Sequence, residues 1–165
     1  MPNPIRTVRA QLLEFALGLP EAHEDLPWGE RVVKVNKKVF VFLGRDMDPH
    51  FGLSVKLPTT GKSALRMPFA EPTGYNLGKS GWVSAKLDDK SQASYEMLRS
   101  WVLESYCAIA PKSLAERVTE ERGAVRAAKK AKAKTAKSKT ANERSVGKSK
   151  SGSLRISAKG RAARR

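Results

Sequence analysis

Apolar residues recur every three to four positions at the start of the chain, then every second position, and finally almost vanish. Ile5, Val8, Leu12, Phe15 and Leu19 keep helical spacing, which predicts a helix over residues 3–17 with one buried face. Asn3 is placed to cap it, and Pro4 stands at the first helical position, where its missing N–H costs nothing. Gly18 offers a left-handed C-cap and Pro20 blocks continuation. Residues 21–29 read as an acidic loop ending in Leu26-Pro27-Trp28-Gly29. Two β-rich runs, 31–35 and 38–43, meet at Asn36-Lys37 and predict a hairpin. After a polar turn over 45–50, Phe51, Leu53, Val55 and Leu57 alternate with Gly52, Ser54 and Lys56. That is a strand buried on one side, as in antiparallel sheets. Pro58 ends it, and residues 60–67 have room for one or two helical turns before Pro68. Alternation returns over 82–87, with Val83, Ala85 and Leu87 opposed to Trp82, Ser84 and Lys86. Ser91 is then placed to cap a long amphipathic helix whose inner face is Tyr95, Leu98, Trp101, Val102, Tyr106 and Ile109. Pro111 closes or bends that helix, and residues 113–119 can add a short last one.

The order helix, hairpin, strand, short helix, strand, helix packs most simply as a two-layer α+β fold. In it, an antiparallel sheet carries the helices on one face. Beyond Gly123 both periodicities stop. No aromatic residue follows Arg122, and the large aliphatics there are Val125, Val146, Leu154 and Ile156. So little apolar surface cannot offset the backbone entropy of ordering, and a disordered tail is expected. Alanine and lysine favour helix, so residues 125–139 are expected to be fractionally helical once an anion neutralises them. The expected division is a folded domain over 1–121 and a Lys/Arg/Ala-rich tail over 122–165.

Charge sharpens that division. The chain holds 32 Lys+Arg against 16 Asp+Glu, a net of +16. Residues 1–121 contain 16 basic and 15 acidic residues, while residues 122–165 contain 16 basic residues and the single acid Glu143. A near-neutral domain therefore precedes a polycation. The lone Cys107 excludes an intrachain disulfide and a multi-cysteine metal site, and reads as an inert core thiol. No apolar run approaches the roughly 18 residues that span a bilayer. Met1-Pro2-Asn3-Pro4 also lacks the layout of a signal peptide. The expected compartment is the cytoplasm, with association to a nucleoid open.

Leu19-Pro20-Glu21-Ala22, Glu24 and Pro27-Trp28-Gly29 together resemble the opening signature of the MmcQ/YjbR family. Three later pieces fit in order. Residues 39–43 followed by Gly52-Leu53-Ser54-Val55-Lys56 are similar to the family's central strands. Gly74-Tyr75-Asn76-Leu77-Gly78-Lys79-Ser80-Gly81-Trp82 is similar to its tyrosine-to-tryptophan turn, and residues 98–106 occupy the place of its closing helix. The resemblance covers about residues 5–110. It implies a compact two-layer α+β fold of the frataxin-like kind and a DNA-binding label that rests on shape. The Lys/Ala tail is no part of that pattern and stands on its own physics.

The tail is the first candidate site. Polycations bind DNA or RNA by releasing condensed counterions, whatever the sequence, and Lys129, Lys130, Lys132, Lys134, Lys137 and Lys139 form a lysine–alanine repeat suited to phosphate contacts. A purely solubilising tail is the plain alternative. Membrane attachment would call for apolar anchors that the tail lacks. The second candidate is the sheet. Lys56, Trp82 and Lys86 oppose the core residues of their strands, and Lys34 joins them if Val33 and Val35 point inward. Three lysines could then hold phosphates while the indole stacks a base. The plain alternative is a solvated face with Trp82 packed against the preceding turn. Trp28 reads as a plug between loop and sheet.

His23 and His50 lie far apart in sequence, each near carboxylates, and nothing in their spacing demands a metal. Thr60-Gly61-Lys62-Ser63 has the end of a phosphate-binding loop, but Lys56 stands where its first glycine belongs. No catalytic arrangement is visible, and no enzyme, cofactor or metal is expected. The sequence thus points to a non-enzymatic nucleic-acid-associated protein, with DNA ahead of RNA as partner and no membrane. The alternative is a small-molecule- or protein-binding module that uses the open sheet face, with the tail as an accessory.

Overall fold

Every stretch of alternating residues becomes a strand of one antiparallel sheet. The computed structural model describes residues 4–46, 48, 50–88, 91 and 93–125. Strands β1 (Ala22–Asp25), β2 (Val32–Val35), β3 (Lys38–Phe42), β4 (Phe51–Lys56), β5 (Ala70–Pro72) and β6 (Trp82–Leu87) lie in the order β1-β2-β3-β4-β6-β5. All neighbouring pairs are antiparallel. Asn36 and Lys37 turn β2 into β3 with φ of 46° and 65°. Two left-handed residues in a row are what a two-residue hairpin needs to match the twist of its strands.

Helices α1 (Pro4–Leu17) and α3 (Tyr95–Ile109) cover one face, with the short α2 (Gly61–Ala64) beside them. Residues 112–125 are also helical (α4) and send Leu114 and Val118 into the core. The α+β fold with helices on one face is therefore the observed one. The core joins Leu12 and Ala16 of α1, Leu98, Trp101, Val102 and Tyr106 of α3, and the inward residues of β2, β3, β4 and β6. Met1–Glu121 form one compact unit. The boundary drawn at Glu121 falls inside α4, which is helical to residue 125.

Four local expectations change. The acidic loop contains β1, whose residues are unremarkable as a strand but find paired backbone along β2, from Ala22 opposite Val35 to Asp25 opposite Val32. The three-residue β5 likewise forms only because β6 offers it an edge. Gly18 is not left-handed. Its N–H still bonds Glu14 O at 3.0 Å, and the turn into β1 is made by Glu21 at φ 55°. Ser94, not Ser91, caps α3, accepting from the Met97 N–H at 3.3 Å. Ser91 is instead bonded to Asp88, through both the Asp88 backbone N–H and its carboxylate.

Register explains a feature of the core. Val33 pairs with Val41 but Lys34 pairs with Val39, so β3 carries one extra residue, Phe40. This bulge lets Phe40 and Val41 both face the helices, where Phe40 meets the Tyr106 ring edge-on at 5.3 Å. It also parts β3 from β4, whose pairing is confined to Val41–Val55 and Phe42–Ser54. The fully buried Ser105 of α3 fills the gap, donating to Phe40 O and accepting from the Lys56 N–H at 2.8 Å. A buried serine thus satisfies two backbone groups that the sheet leaves over. Tyr106 ties the same helix to the Leu19-Pro20 segment by donating to Pro20 O at 2.8 Å.

Candidate nucleic-acid interface

The face of the sheet away from the helices carries the residues expected there. Cross-strand pairing puts Lys56 opposite Trp82, Ser54 opposite Ser84 and Gly52 opposite Lys86, while Lys34 lies opposite His23 on β1. Lys34, Lys56, Trp82 and Lys86 therefore share one face. Sharing a face does not make them a binding surface.

Trp82 is only 8 % exposed. Its ring stands edge-on to Phe42 at 5.6 Å, spanning the small Ser54 of the strand between them. Val32, opposite Phe42, completes a small apolar patch. The expected stacking platform is thus spent on packing, because an indole beside a serine column gains more from a neighbouring ring than from water. Lys34 is paired with Asp25, and Lys86 with Glu71 at 2.9 Å. The hydrogen bond from Lys34 holds the Asp25 carboxyl below its ordinary range, helped by the Leu26 N–H. Lys56 alone of the three lysines makes no ion pair among the described residues. Between these charges runs a row of hydroxyls, Ser54 to Ser84 at 2.8 Å and Ser84 to Thr73 at 2.9 Å. These hydroxyls bond one another, with no histidine or carboxylate in the row to activate a nucleophile.

At one end of the sheet two arginines organise the loops. Arg31 bonds Glu24 and, at 2.5 Å, Asp46, while Arg9 of α1 reaches Arg45 O at 2.6 Å and lies over the Phe51 ring. Arg31 lowers the Asp46 carboxyl, and burial lowers Arg9. This is a clamp between α1, β1 and the 45–48 turn, with its charges consumed internally.

Two aromatics the alternation passes over are the most exposed. Trp28, expected as a plug, is 88 % exposed. Its φ of 54° turns the chain so that the indole leaves the sheet. Tyr75 is 100 % exposed, also at positive φ. The sequence signal for Tyr75 was available: an aromatic in a segment framed by Gly74, Gly78 and Gly81 belongs to a turn, not a core. Cys107 is half-buried between α3 and α4, not sealed in the core. His23 and His50 are both exposed. The tail residues Lys129, Lys130, Lys132, Lys134, Lys137 and Lys139 lie outside the described residues. Among the described residues no helix is long and apolar enough to cross a membrane.

A six-stranded antiparallel sheet with helices on one face, an interstrand serine bridge and a Gly-Tyr-to-Trp turn define an α+β domain class. The family model described as YjbR matches residues 17–108, more than half of the chain, and the chain belongs to that family. Among solved structures it is similar to the crystal structure of Deinococcus radiodurans protein DR2400, a DUF419 domain. The identity is 26 %, with 74 % of this chain and 92 % of that one covered, at a TM-score of 0.55. No curated protein matches.

Proposed function

We propose that the chain is a non-enzymatic nucleic-acid-associated protein whose sequence-independent affinity comes from the polycationic segment 122–165. The observation that carries this reading is the partition of charge. Residues 122–165 hold 16 basic residues against one acid, while the preceding domain is nearly neutral. The open sheet face supports it indirectly, since two of its three lysines are already paired and its tryptophan is packed away. Among the described residues that face keeps one unpaired lysine, Lys56, so most of the affinity for a polyanion is assigned elsewhere in the chain. DNA is the expected partner, bound through phosphates without base readout.

The test is a salt titration of duplex binding by fluorescence anisotropy. If the segment neutralises about 6–10 phosphates, affinity falls by roughly 10³–10⁵ between about 50 and 200 mM salt. Replacing Lys129, Lys130, Lys132 and Lys134 with Gln should make the slope shallower by about 0.9 for each phosphate left without its lysine. Binding of equal strength and slope in that variant would overturn the reading.

A further inference from the structure

The near-neutral domain is electrically lopsided, and the sheet's connectivity makes it so. Because successive strands run antiparallel, their connections sort to two ends. At one end lie the β1–β2 loop with Glu30 and Arg31, the β3–β4 turn with Arg45, Asp46 and Asp48, and Asp88 after β6, and there Arg31 is paired with Glu24 and Asp46. At the other lie the β2–β3 turn with Lys37 and Lys38, the end of β4 with Lys56, and the β5–β6 turn with Lys79. No acidic residue occurs within residues 31–45, 51–70 or 72–87, so these three basic connections have no acid of their own. Two acids from outside these connections do reach this end: Glu21, which precedes β1 opposite the β2–β3 turn, and Glu104 of α3, whose carboxylate accepts from the Thr59 and Thr60 N–H groups and the Thr60 hydroxyl. Among the described residues Lys37, Lys38, Lys56 and Lys79 make no ion pair. Lys37 and Lys38 lead into β3, Lys56 ends β4 and Lys79 precedes β6, three strands that are neighbours in the sheet.

Tyr75 stands on that same end. Its turn is held by Gly78 N–H to Thr73 O at 2.9 Å, Leu77 N–H to Gly74 O at 3.1 Å, Lys79 N–H to Asn76 O at 3.2 Å and Thr73 N–H to Trp82 O at 3.1 Å. Gly78 permits this closure, since a Cβ there would sit 2.9 Å from Pro72 Cβ and 3.0 Å from Thr73 O. Tyr75 and Asn76 are both left-handed, at φ 55° and 62°. A bulky residue at positive φ is a costly conformation that the surroundings must enforce. Here a bonded turn spends that cost to hold a ring wholly in solvent, where it packs on nothing in the fold.

We infer that this end of the folded domain is a contact surface for single-stranded nucleic acid. In this arrangement Tyr75 stacks a base, and Lys37, Lys56 and Lys79, flanked by Lys38, hold the phosphates. A rigid aromatic set in a rim of unpaired lysines is the combination that single-strand binders use, with stacking giving affinity and lysines tracking the backbone. A duplex keeps its bases stacked on one another, so it has no face to offer the ring. The inference rests on the nucleic-acid reading of the chain but assigns a different element, so the two fail separately.

The opposite end supplies an internal control, because Trp28 is nearly as exposed, also at positive φ, but stands where the nearby Arg31 is paired with Glu24 and Asp46. The experiment measures binding of the full chain to an oligothymidine and to a duplex of equal length, at about 200 mM salt, where the electrostatic contribution of the tail is reduced. Tyr75→Ala is expected to weaken oligothymidine binding by about 5- to 150-fold, the equivalent of the ~1–3 kcal/mol of one stacked base. Tyr75→Phe should keep most of the affinity, Trp28→Ala all of it, and the salt slope should not move, since tyrosine meets no phosphate. Lys37→Gln combined with Lys79→Gln should instead lower the slope on the single strand. Unchanged melting of each variant would show that the fold is intact. Equal losses on duplex and single strand, or a Trp28→Ala loss matching that of Tyr75→Ala, would overturn the inference. So would single-strand binding untouched by Tyr75→Ala while the tail variant still flattens the slope; in that last case the proposed function would stand without this surface.

Discussion

The two faces of the sheet are made from alternate residues of the same strands, yet they end in opposite states. On the helix side Val33, Val41, Val55 and Val83 join a continuous core with α1 and α3. On the other side no helix of the described residues packs, and the residues there satisfy one another instead. Val32, Phe42 and Trp82 pack together, Ser54, Ser84 and Thr73 share hydrogen bonds, and Lys34 and Lys86 pair with acids. An uncovered face is therefore not automatically a binding face. Side chains that can reach across neighbouring strands lower their own free energy first. What stays unsatisfied is pushed to the ends of the sheet, where turns hold residues such as Tyr75 and Lys79 away from any partner.

Removing one tryptophan from each face puts the contrast to its strongest test. Trp101 is buried on the inner side of α3, beside Phe69. Trp101→Ala is expected to cost about 3–5 kcal/mol in urea unfolding, the range for aromatic core truncations. Trp82→Ala, which empties only a three-residue patch, should cost about 2 kcal/mol. Equal costs would mean that the open face is a second core.

A smaller effect tests how the helix layer serves the sheet. Ser105→Ala removes one hydroxyl but orphans both Phe40 O and the Lys56 N–H. The expected loss is about 1–3 kcal/mol, accompanied by faster hydrogen exchange at the Lys56 amide. Unaltered exchange there would show that β3 and β4 close the gap without the serine.

The smallest effect concerns the open face's own charges. Lys34 holds Asp25 below its ordinary value of 3.8. A carboxylate lowered in the folded state stabilises it above the unfolded value, and that contribution is lost as pH falls through the folded one. The parent should therefore lose stability as pH drops below about 3.8, and Asp25→Asn should show a shallower acid limb in thermal melts. The change is expected to be slight, because the pair is exposed and screened. An identical acid limb in the variant would mean that Lys34 is not committed to Asp25 in solution, and would return it to the open face as a free cation.

Much of this protein follows from the chain alone. Alternation at Phe51–Leu57 and Trp82–Leu87 needs only the two-residue period of a strand, and Asn36-Lys37 needs only the chemistry of a tight turn. The inner face of α3 is equally local, since Leu98, Trp101, Val102 and Tyr106 recur at the helical period. The near-neutral and polycationic parts separate by counting. Strands β1 and β5 did not follow, because three or four residues with no apolar pattern become strands only when a neighbour supplies backbone partners. The fate of Lys34, Trp82 and Lys86 did not follow either. Alternation states which face a side chain takes, while Asp25, Phe42 and Glu71 reach them only through pairing across strands distant in sequence. Tertiary structure also decided where charge collects: antiparallel order sends the acidic loops to one end and the lysine-bearing turns, with Tyr75, to the other. Local rules depend on neighbours along the chain, whereas the neutralising, packing and gathering of side chains depend on neighbours in space.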